Sequence, residues 1–195
     1  MILVGAVASL RFGEITALER RDVDLHAATI RVRQQFLEIK GQGLVLGPPT
    51  SRAGVRTVAM PAAVMTYLRA HLDEYVDGEP AALVFTIPSG LPIRRSSFNK
   101  LVRWQDAVAS IDMPGLHFHD LRHTGNMLAA ASKVSTRDLM ARMGHDSMTA
   151  ALIYQHASRE ADRAIADHLE TRLNSTFRPA DRDAEGPDGP GLMDR

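Results

Sequence analysis

The chain has 195 residues, enough for one substantial hydrophobic core and few for two domains. Its hydrophobic content of 45% is ordinary for a globular protein, and the absence of cysteine excludes disulfides and thiolate zinc sites and is compatible with a reducing cytoplasm. The 23 basic and 23 acidic residues cancel to a formal net charge of zero, so total charge does not favour nucleic-acid binding, although its distribution can.

The first predicted element is an apolar helix from Leu3 to Arg20, because the apolar character of "MILVGAVASL" continues through Ile15 and Leu18. The run before Arg11 is too short to span a bilayer, and no basic residues precede it as in a secretory signal. Because no capping residue precedes this helix, we expect that an upstream part of the protein is missing from the chain.

Three strands are predicted next. "ATIRVRQQFLEIK" alternates and is rich in β-branched residues, "GQG" turns the chain, and "LVLG" and "VRTVAMP" follow on either side of a turn rich in Pro and Gly. Together they predict a small antiparallel three-stranded sheet. "PAAVMTYLRAHLDEYV" then predicts an amphipathic helix with Val64, Leu68 and Leu72 on one face, and "ALVFT" predicts a short buried strand.

The second half of the chain is predicted to be helical. "RSSFNKLVRWQDAVASI" is amphipathic, with Ser96 or Ser97 as its N-cap, and "DLRHTGNMLAAASK" is a helix that Asp120 could cap. "STRDLMARMG" starts at Ser or Thr and ends at Gly144, and the helices "HDSMTAALIYQHA" and "SREADRAIADHLETRL" follow.

The end of the chain differs in composition. From Asn174 onward it is poor in apolar residues and rich in Pro, Gly and Asp, which predicts a disordered tail over residues 174–195. Residues 1–173 are expected to form one α+β domain that is mainly α-helical, with the small antiparallel three-stranded sheet.

The stretch "FHDLRHTG" concentrates cationic groups. His119 and Arg122 stand three positions apart, so on a helix they share a face. Asp120 marks the amino end of that helix, where the backbone dipole favours anions. A guanidinium donates two parallel hydrogen bonds to phosphate oxygens, and an imidazole exchanges a proton near neutral pH. The combination favours a phosphate undergoing substitution.

Three other interpretations of this stretch remain open. His117, His119 and His123 could bind a metal, although neither a metalloprotease spacing nor a cysteine accompanies them. The histidines could instead be buried groups with satisfied hydrogen bonds and no chemistry. Arg122 could be a structural ion-pair partner of Asp120 or Asp138.

Two further motifs complete a pattern. "SLRFGEITAL" places Arg11 three residues before Glu14, and "MGHDSMTAALIYQH" places His145 nine residues before Tyr154. An Arg, then His-x-x-Arg, then Gly-His, then a Tyr on a short helix is the ordered signature of one family. From Leu3 to about Leu173 the chain resembles the catalytic domain of the tyrosine recombinases, the phage integrase family.

The resemblance implies a role for each motif residue. Arg11 and Arg122 would bind the non-bridging oxygens of the scissile DNA phosphate, and His145 would donate a further hydrogen bond to it. His119 would assist proton movement, and Tyr154 would attack to form a 3′-phosphotyrosyl bond.

The resemblance also implies that Glu14 orients Arg11 and that no metal or cofactor takes part. The expected partner is double-stranded DNA, bound by a chain with no membrane association, in the cytoplasm at the nucleoid. A homotetramer on DNA is expected to form through the last helix, "SREADRAIADHLETRL", whose apolar stripe is Ala161, Ile165 and Leu169.

Charge is distributed as DNA binding requires. Eight basic and five acidic residues precede residue 61, and seven basic and three acidic residues lie within residues 94–137. The compensating acids fall outside these two segments, so a basic face with an acidic periphery is predicted. Ordinary solvated helix faces would produce the same counts.

The sequence departs from the family in two ways. Only ten residues precede Arg11, where the family has a further DNA-binding domain. The family also places a lysine in the turn between the second and third strands, as the acid that protonates the leaving 5′-oxygen. Thr50 occupies that position in "GPPTSRAGVR", Arg52 holds its proton too firmly to replace it, and Lys40 lies at the preceding turn.

Two functions therefore compete. The first is a site-specific recombinase that cleaves and rejoins DNA, and the second is a catalytically impaired or degenerate DNA-binding remnant of an integrase. A histidine-metal hydrolase is a third and weaker alternative.

Overall fold

A computed structural model describes residues 1–132 and 134–144. Within them the α-helices are α1 (Ile2–Ala8), α2 (Phe12–Thr16), α3 (Ala62–Tyr75), α4 (Arg95–Leu101), α5 (Trp104–Ala109), α6 (Phe118–Ala131) and α7 (Thr136–Met143). The strands are β1 (Val23–Asp24), β2 (Thr29–Val32), β3 (Gln35–Ile39), β4 (Gly43–Gly47) and β5 (Arg56–Ala59). The prediction of a mainly helical α+β fold with small antiparallel sheets is confirmed. Across the described ranges, every helix is too short or too polar to cross a membrane.

The single amino-terminal helix predicted from Leu3 to Arg20 is wrong. The segment forms α1, α2 and a 3-10 turn at Arg20–Asp22. The break falls at Ser9, which adopts a left-handed conformation with φ 55°. Ser9 is buried, and its carbonyl accepts a hydrogen bond from the guanidinium of Arg122. A tertiary contact therefore overrides the continuous apolar pattern at this point.

The sheet differs from the prediction in which strands pair. The long strand "ATIRVRQQFLEIK" divides between β2 and β3, and the two halves enter different sheets. One sheet has three strands in the order β1-β2-β5, and the other is the hairpin of β3 and β4. Arg33 marks the division, because its side chain turns back to Asp22 and Glu19.

Two further predicted elements are replaced. "ALVFT" forms only isolated bridges, in which Leu83 pairs with Glu19. The helix predicted for "RSSFNKLVRWQDAVASI" divides into α4 and α5 at Arg103, which is left-handed with φ 49°. α4 starts after Arg94 and has no side-chain cap, so the predicted serine caps are also wrong.

The caps of α6 and α7 are close to prediction. Ser135 caps α7 and Gly144 ends it with φ 66°, as predicted. α6 begins at Phe118, and His117 is its N-cap residue. Asp120 therefore caps the helix from its third position, where its carboxylate accepts a hydrogen bond from the His117 backbone at 2.7 Å.

An aromatic cluster joins the three helices α2, α4 and α6. Phe12 of α2, Phe98 of α4 and Phe118 of α6 pack edge to face, with ring centroids 4.9 to 5.5 Å apart. Each such pair contributes about 0.5–1.5 kcal/mol beyond its buried area. Because Phe12 follows Arg11 and Phe118 precedes His119, this cluster fixes the two backbones that carry those side chains.

Close packing of α1 on α6 predicts a strict requirement for glycine. A Cβ atom at Gly125 would lie 2.1 Å from the Ala6 carbonyl oxygen and 2.9 Å from Ser9 Oγ. We expect Gly125→Ala to lower the free energy of unfolding by about 1–3 kcal/mol in urea denaturation, since the helices must separate. Gly78→Ala is the matched control, because nothing lies within 4 Å of its Cβ position. Equal stability of the two variants would contradict the packing described here.

Candidate functional site

Arg11 is the N-cap residue of α2, and Glu14 holds it from one turn ahead. The Arg11 backbone N–H donates to Glu14 Oε2 at 2.9 Å, and Arg11 Nη1 donates to Glu14 Oε1 at 3.0 Å. The carboxylate thereby fixes both the backbone and the guanidinium of Arg11. The Arg11 side chain is 29% exposed, so its guanidinium contacts Glu14 on one side and remains accessible on the other.

Glu14 is fully buried and has a second guanidinium partner. Arg56 Nη2 donates to Glu14 Oε2 at 3.0 Å and Arg56 Nη1 donates to Glu14 Oε1 at 3.3 Å. Burial alone would raise the pKa of Glu14, but the hydrogen bonds and positive charges of Arg56 and then Arg11 lower it below its ordinary value. Glu14 is therefore an ionised carboxylate shared by two arginines.

Sequence reasoning missed Arg56, although a signal was present. Arg56 begins β5, and Val58 and Met60 share its face at a spacing of two residues. All three are buried. Strand alternation therefore indicated an inward-facing arginine, which requires an internal anion.

Arg11 and His119 open onto one cavity. It has a volume of about 320 Å³ and is lined on one side by the β3–β4 hairpin and on another by α2. Arg95, at the start of α4, also lines it. Arg11, Arg95 and His119 come from segments far apart in sequence, and Glu38 of β3 also lines the cavity. The two guanidiniums outweigh this single carboxylate in the lining, which favours an anion there.

His119 is an exposed side chain whose neutral form is favoured. Burial of part of the ring lowers its pKa below the ordinary 6.5, and the nearby positive charges of His123, Arg122 and Arg95 lower it further. Asp120 opposes this shift more weakly. At neutral pH the imidazole can therefore accept a proton.

The described part of the chain contains no cluster of side chains that would serve as ligands for the metal considered above. The rings of His119 and His123 lie 5.0 Å apart, centroid to centroid. Over residues 1–132 and 134–144, no group of three or more His, Asp or Glu side chains is arranged to hold a metal ion.

Arg122 lies inside the protein, 4% exposed, one turn after His119. Its guanidinium donates to the Ser9 carbonyl and, at 2.6 Å, to the Met143 carbonyl. These contacts connect α6 to the break before Arg11 and to the end of α7. The ion-pair partners considered for it have capping roles: Asp120 caps α6, and Asp138 caps α7 with Ser135.

Thr50 is exposed in the loop between β4 and β5. Its neighbour Ser51 donates to the Gly144 carbonyl at 3.3 Å, so this loop contacts the end of α7. Lys40 lies at the other end of the β3–β4 hairpin, five residues beyond the Gln35–Gly47 pair, which corresponds to roughly 16 Å along an extended strand. Thr50 follows Gly47 by three residues, at the end of the hairpin opposite to Lys40.

His145 and Tyr154 lie outside the described residues. The last described residue, Gly144, directly precedes His145. The predicted helix "SREADRAIADHLETRL" and the predicted tail from Asn174 also lie outside the described range.

Comparison with known proteins decides the family. The phage integrase family model matches residues 1–161. The chain belongs to the phage integrase family. The resemblance predicted from its motifs is confirmed.

The prophage phiRv2 integrase of Mycobacterium tuberculosis is 37% identical over 166 residues, which are 85% of this chain and 44% of that protein. The integrase of Mycobacterium phage L5 is 35% identical over 168 residues, 84% of this chain and 44% of that protein. This integrase-family chain thus spans less than half the length of these relatives.

Solved structures show the same fold. The Tn1549 transposon integrase in complex with transposon right-end DNA matches with a TM-score of 0.74 and 23% identity, covering 87% of this chain and 57% of that one. XerA recombinase matches with a TM-score of 0.60 and 22% identity, covering 91% of this chain and 57% of that one.

The electrostatics of His119 predict its titration. In an NMR titration its pKa should fall below 6.5, and His123→Gln should raise it toward that value by removing a neighbouring positive charge. Folding stability should also decrease as the pH drops through this range, because the unfolded chain takes up the proton first. A pKa of His119 at or above 6.5 would contradict this description.

Proposed function

We propose that this chain is the catalytic domain of a site-specific recombinase, which cleaves and rejoins double-stranded DNA through a 3′-phosphotyrosyl intermediate. The observation that carries the proposal is the cavity that Arg11 and His119 share, with Arg11 held from behind by an ionised Glu14. Family membership supports the same chemistry, as does the DNA complex of the Tn1549 integrase.

In the proposed reaction, the phosphate is held by cations. Arg11 binds a non-bridging oxygen of the scissile phosphate, and Arg122 and His145 bind the phosphate from the α6 and α7 side. Two guanidiniums stabilise the negative charge that develops in the transition state, as a metal ion would elsewhere. The contacts of Arg122 with the carbonyls of Ser9 and Met143 fix the orientation of its planar group, which lies buried outside the lining of the cavity that Arg11 and His119 share.

The chemical step exchanges one ester for another. The hydroxyl oxygen of Tyr154 attacks phosphorus while its proton passes to the neutral imidazole of His119. The bond from phosphorus to the 5′-oxygen breaks, and that oxygen takes up a proton from water as it leaves, because Thr50 stands where the family has its acid. Rejoining runs in reverse, when a 5′-hydroxyl attacks the phosphotyrosine and releases the phenol. One phosphodiester link is replaced by another at each step, so the proposed reaction needs no ATP. The guanidiniums take the place of a metal ion in stabilising the developing charge.

The proposed assembly is a homotetramer on DNA. The apolar stripe Ala161, Ile165 and Leu169 would pack into a neighbouring protomer and couple the four sites. The proposed place of action is the nucleoid, because the substrate is chromosomal or phage DNA. Residues 1–173 are proposed as the catalytic domain and 174–195 as a disordered tail.

A second candidate function rests on Thr50. A threonine hydroxyl is too weak an acid to protonate a leaving alkoxide in place of an ammonium. The chain would then be a remnant of an integrase that binds DNA and cleaves it slowly. Lys40, at the far end of the hairpin, is a poor substitute for an acid at position 50.

Covalent trapping tests the nucleophile. With a nicked DNA that releases a short 5′-fragment, the chain should form a covalent protein–DNA adduct visible by denaturing electrophoresis. Tyr154→Phe should abolish the adduct and leave non-covalent DNA binding nearly unchanged, because only one hydroxyl is lost. Tyr67→Phe, an exposed tyrosine on α3, is the matched control and should leave the adduct intact. An adduct that persists in Tyr154→Phe would refute the assignment.

Substitution of the leaving atom tests the role of position 50. A positioned acid contributes about 10²–10⁴-fold in rate. Cleavage of ordinary DNA should therefore be slower, by a factor on that order, than it would be with an acid at position 50. DNA with sulfur as the bridging 5′-atom should be cleaved much faster, because a thiolate leaves without a proton. Thr50→Lys should accelerate cleavage of ordinary DNA and barely change cleavage of the sulfur substrate.

The control and the contrary result concern Lys40. Lys40→Ala should change neither rate if Thr50 occupies the position of the acid. Normal cleavage of ordinary DNA that is lost in Lys40→Ala would instead identify Lys40 as the acid.

A further inference from the structure

We infer that Arg56 is a positioning residue that orients Arg11 through Glu14 and ties it to the two segments that flank the rest of the site. This inference rests on the proposed function for its catalytic consequence. Arg56 does not line the cavity shared by Arg11 and His119, so it acts through other groups.

The guanidinium of Arg56 joins three segments. Its Nη atoms donate to both carboxylate oxygens of Glu14. Nη1 also donates to the Gly54 carbonyl at 2.9 Å, in the loop that carries Thr50, and Nε donates to the Arg142 carbonyl at 2.9 Å, near the end of α7. One planar group thus connects the helix behind Arg11 to the two segments next to Thr50 and His145.

Burial makes this arrangement specific. The side chains of Arg56 and Glu14 are 5% and 0% exposed, so each charge depends on the other for its stabilisation. Two arginines share one carboxylate, which leaves one net positive charge in the group. Because Arg11 is the more exposed of the two arginines, that charge is presented to the cavity through Arg11.

The end of α7 is fitted to the same guanidinium. A Cβ atom at Gly144 would lie 2.8 Å from Arg56 Nη1, and the φ of +66° also favours glycine. The Gly144 backbone therefore packs directly on Arg56, one residue before His145. The Ser51 hydroxyl, in the β4–β5 loop, donates to the Gly144 carbonyl.

A lysine at position 56 would keep the charge but not the geometry. An ammonium has one nitrogen with three donors, and it cannot direct donors at both oxygens of Glu14 and at the carbonyls of Gly54 and Arg142. In Arg56→Lys, Glu14 should remain ionised while the orientation of Arg11 is lost. We expect the first-order cleavage step to slow by about 10²-fold, the loss that follows a 1 Å misplacement.

The test is a double-mutant cycle on the full chain. Single-turnover cleavage of sulfur-bridged DNA, which does not require an acid at position 50, is measured for the wild type, Arg56→Lys, Arg11→Ala and the double variant. Arg56→Lys should lower the rate and change the half-saturating DNA concentration little. In the Arg11→Ala background it should have almost no further effect, because its effect is transmitted through Arg11.

Arg33→Lys is the matched control. Arg33 also contacts two carboxylates, those of Glu19 and Asp22, but it has no contact with the Glu14 group. The effects of Arg33→Lys and Arg11→Ala on the cleavage rate should be independent, so that the double variant shows the product of the two single effects. Multiplicative effects of Arg56→Lys and Arg11→Ala, or an unchanged rate in Arg56→Lys, would overturn the inference.

Two further measurements separate the possible failures. If Arg56→Lys does not fold, Gly144→Ala replaces it in the cycle, since its Cβ displaces the Arg56 guanidinium while leaving the charge in place. If the wild type makes no adduct even with sulfur-bridged DNA, the proposed function fails and the Arg11 Nε–H NMR signal decides the inference. That signal should shift in the variant that perturbs Arg56 and stay in place in Arg33→Lys; no shift would overturn the inference.

Discussion

The shared, buried carboxylate of Glu14 is the constraint on which the rest of the site depends. An ionised group with no exposed surface requires compensating charge, and Arg11 and Arg56 supply it from α2 and β5. The result is a guanidinium at Arg11 whose direction is set by the fold itself. In the proposed reaction, a preorganised donor of this kind would need little reorganisation, which is the main source of electrostatic catalysis.

The same constraint explains the irregular start of the domain. A continuous helix from α1 into α2 would remove Arg11 from its N-cap position, where its backbone N–H meets Glu14. The left-handed turn at Ser9 creates that position and exposes the carbonyl that Arg122 binds. Two arginines that are far apart in sequence are therefore located by one break in the chain.

The sequence predicted the family and one contact of the candidate site, but not the tertiary contacts that support it. Local spacing was sufficient for the contact of Arg11 with Glu14, because the two residues lie within one helical turn. It was not sufficient for His119 and Arg122, since His119 lines the cavity while Arg122 is buried against the carbonyls of Ser9 and Met143. The role of Arg56 depends on a contact across 42 residues, and charge counting assigned it to a basic surface. The division of the predicted long strand likewise depends on Arg33 reaching two distant carboxylates, which periodicity does not report.

The helices show the same division between local and tertiary control. The caps at Ser135 and Gly144 were predictable, since capping depends on neighbouring residues alone. The break between α4 and α5 was not predictable, because the amphipathic pattern continues through Arg103 while the backbone is left-handed there.

The carboxylate titration of Glu14, followed by ¹³C NMR in the intact chain, tests the central claim most directly. An ionised Glu14 held by two guanidiniums should titrate below its ordinary pKa of 4.5, despite its complete burial. Arg56→Gln should raise that pKa, because burial then acts against a carboxylate with one cationic partner. A Glu14 pKa at or above the ordinary value in the wild type would show that the two arginines do not share an ionised carboxylate, and it would contradict the account.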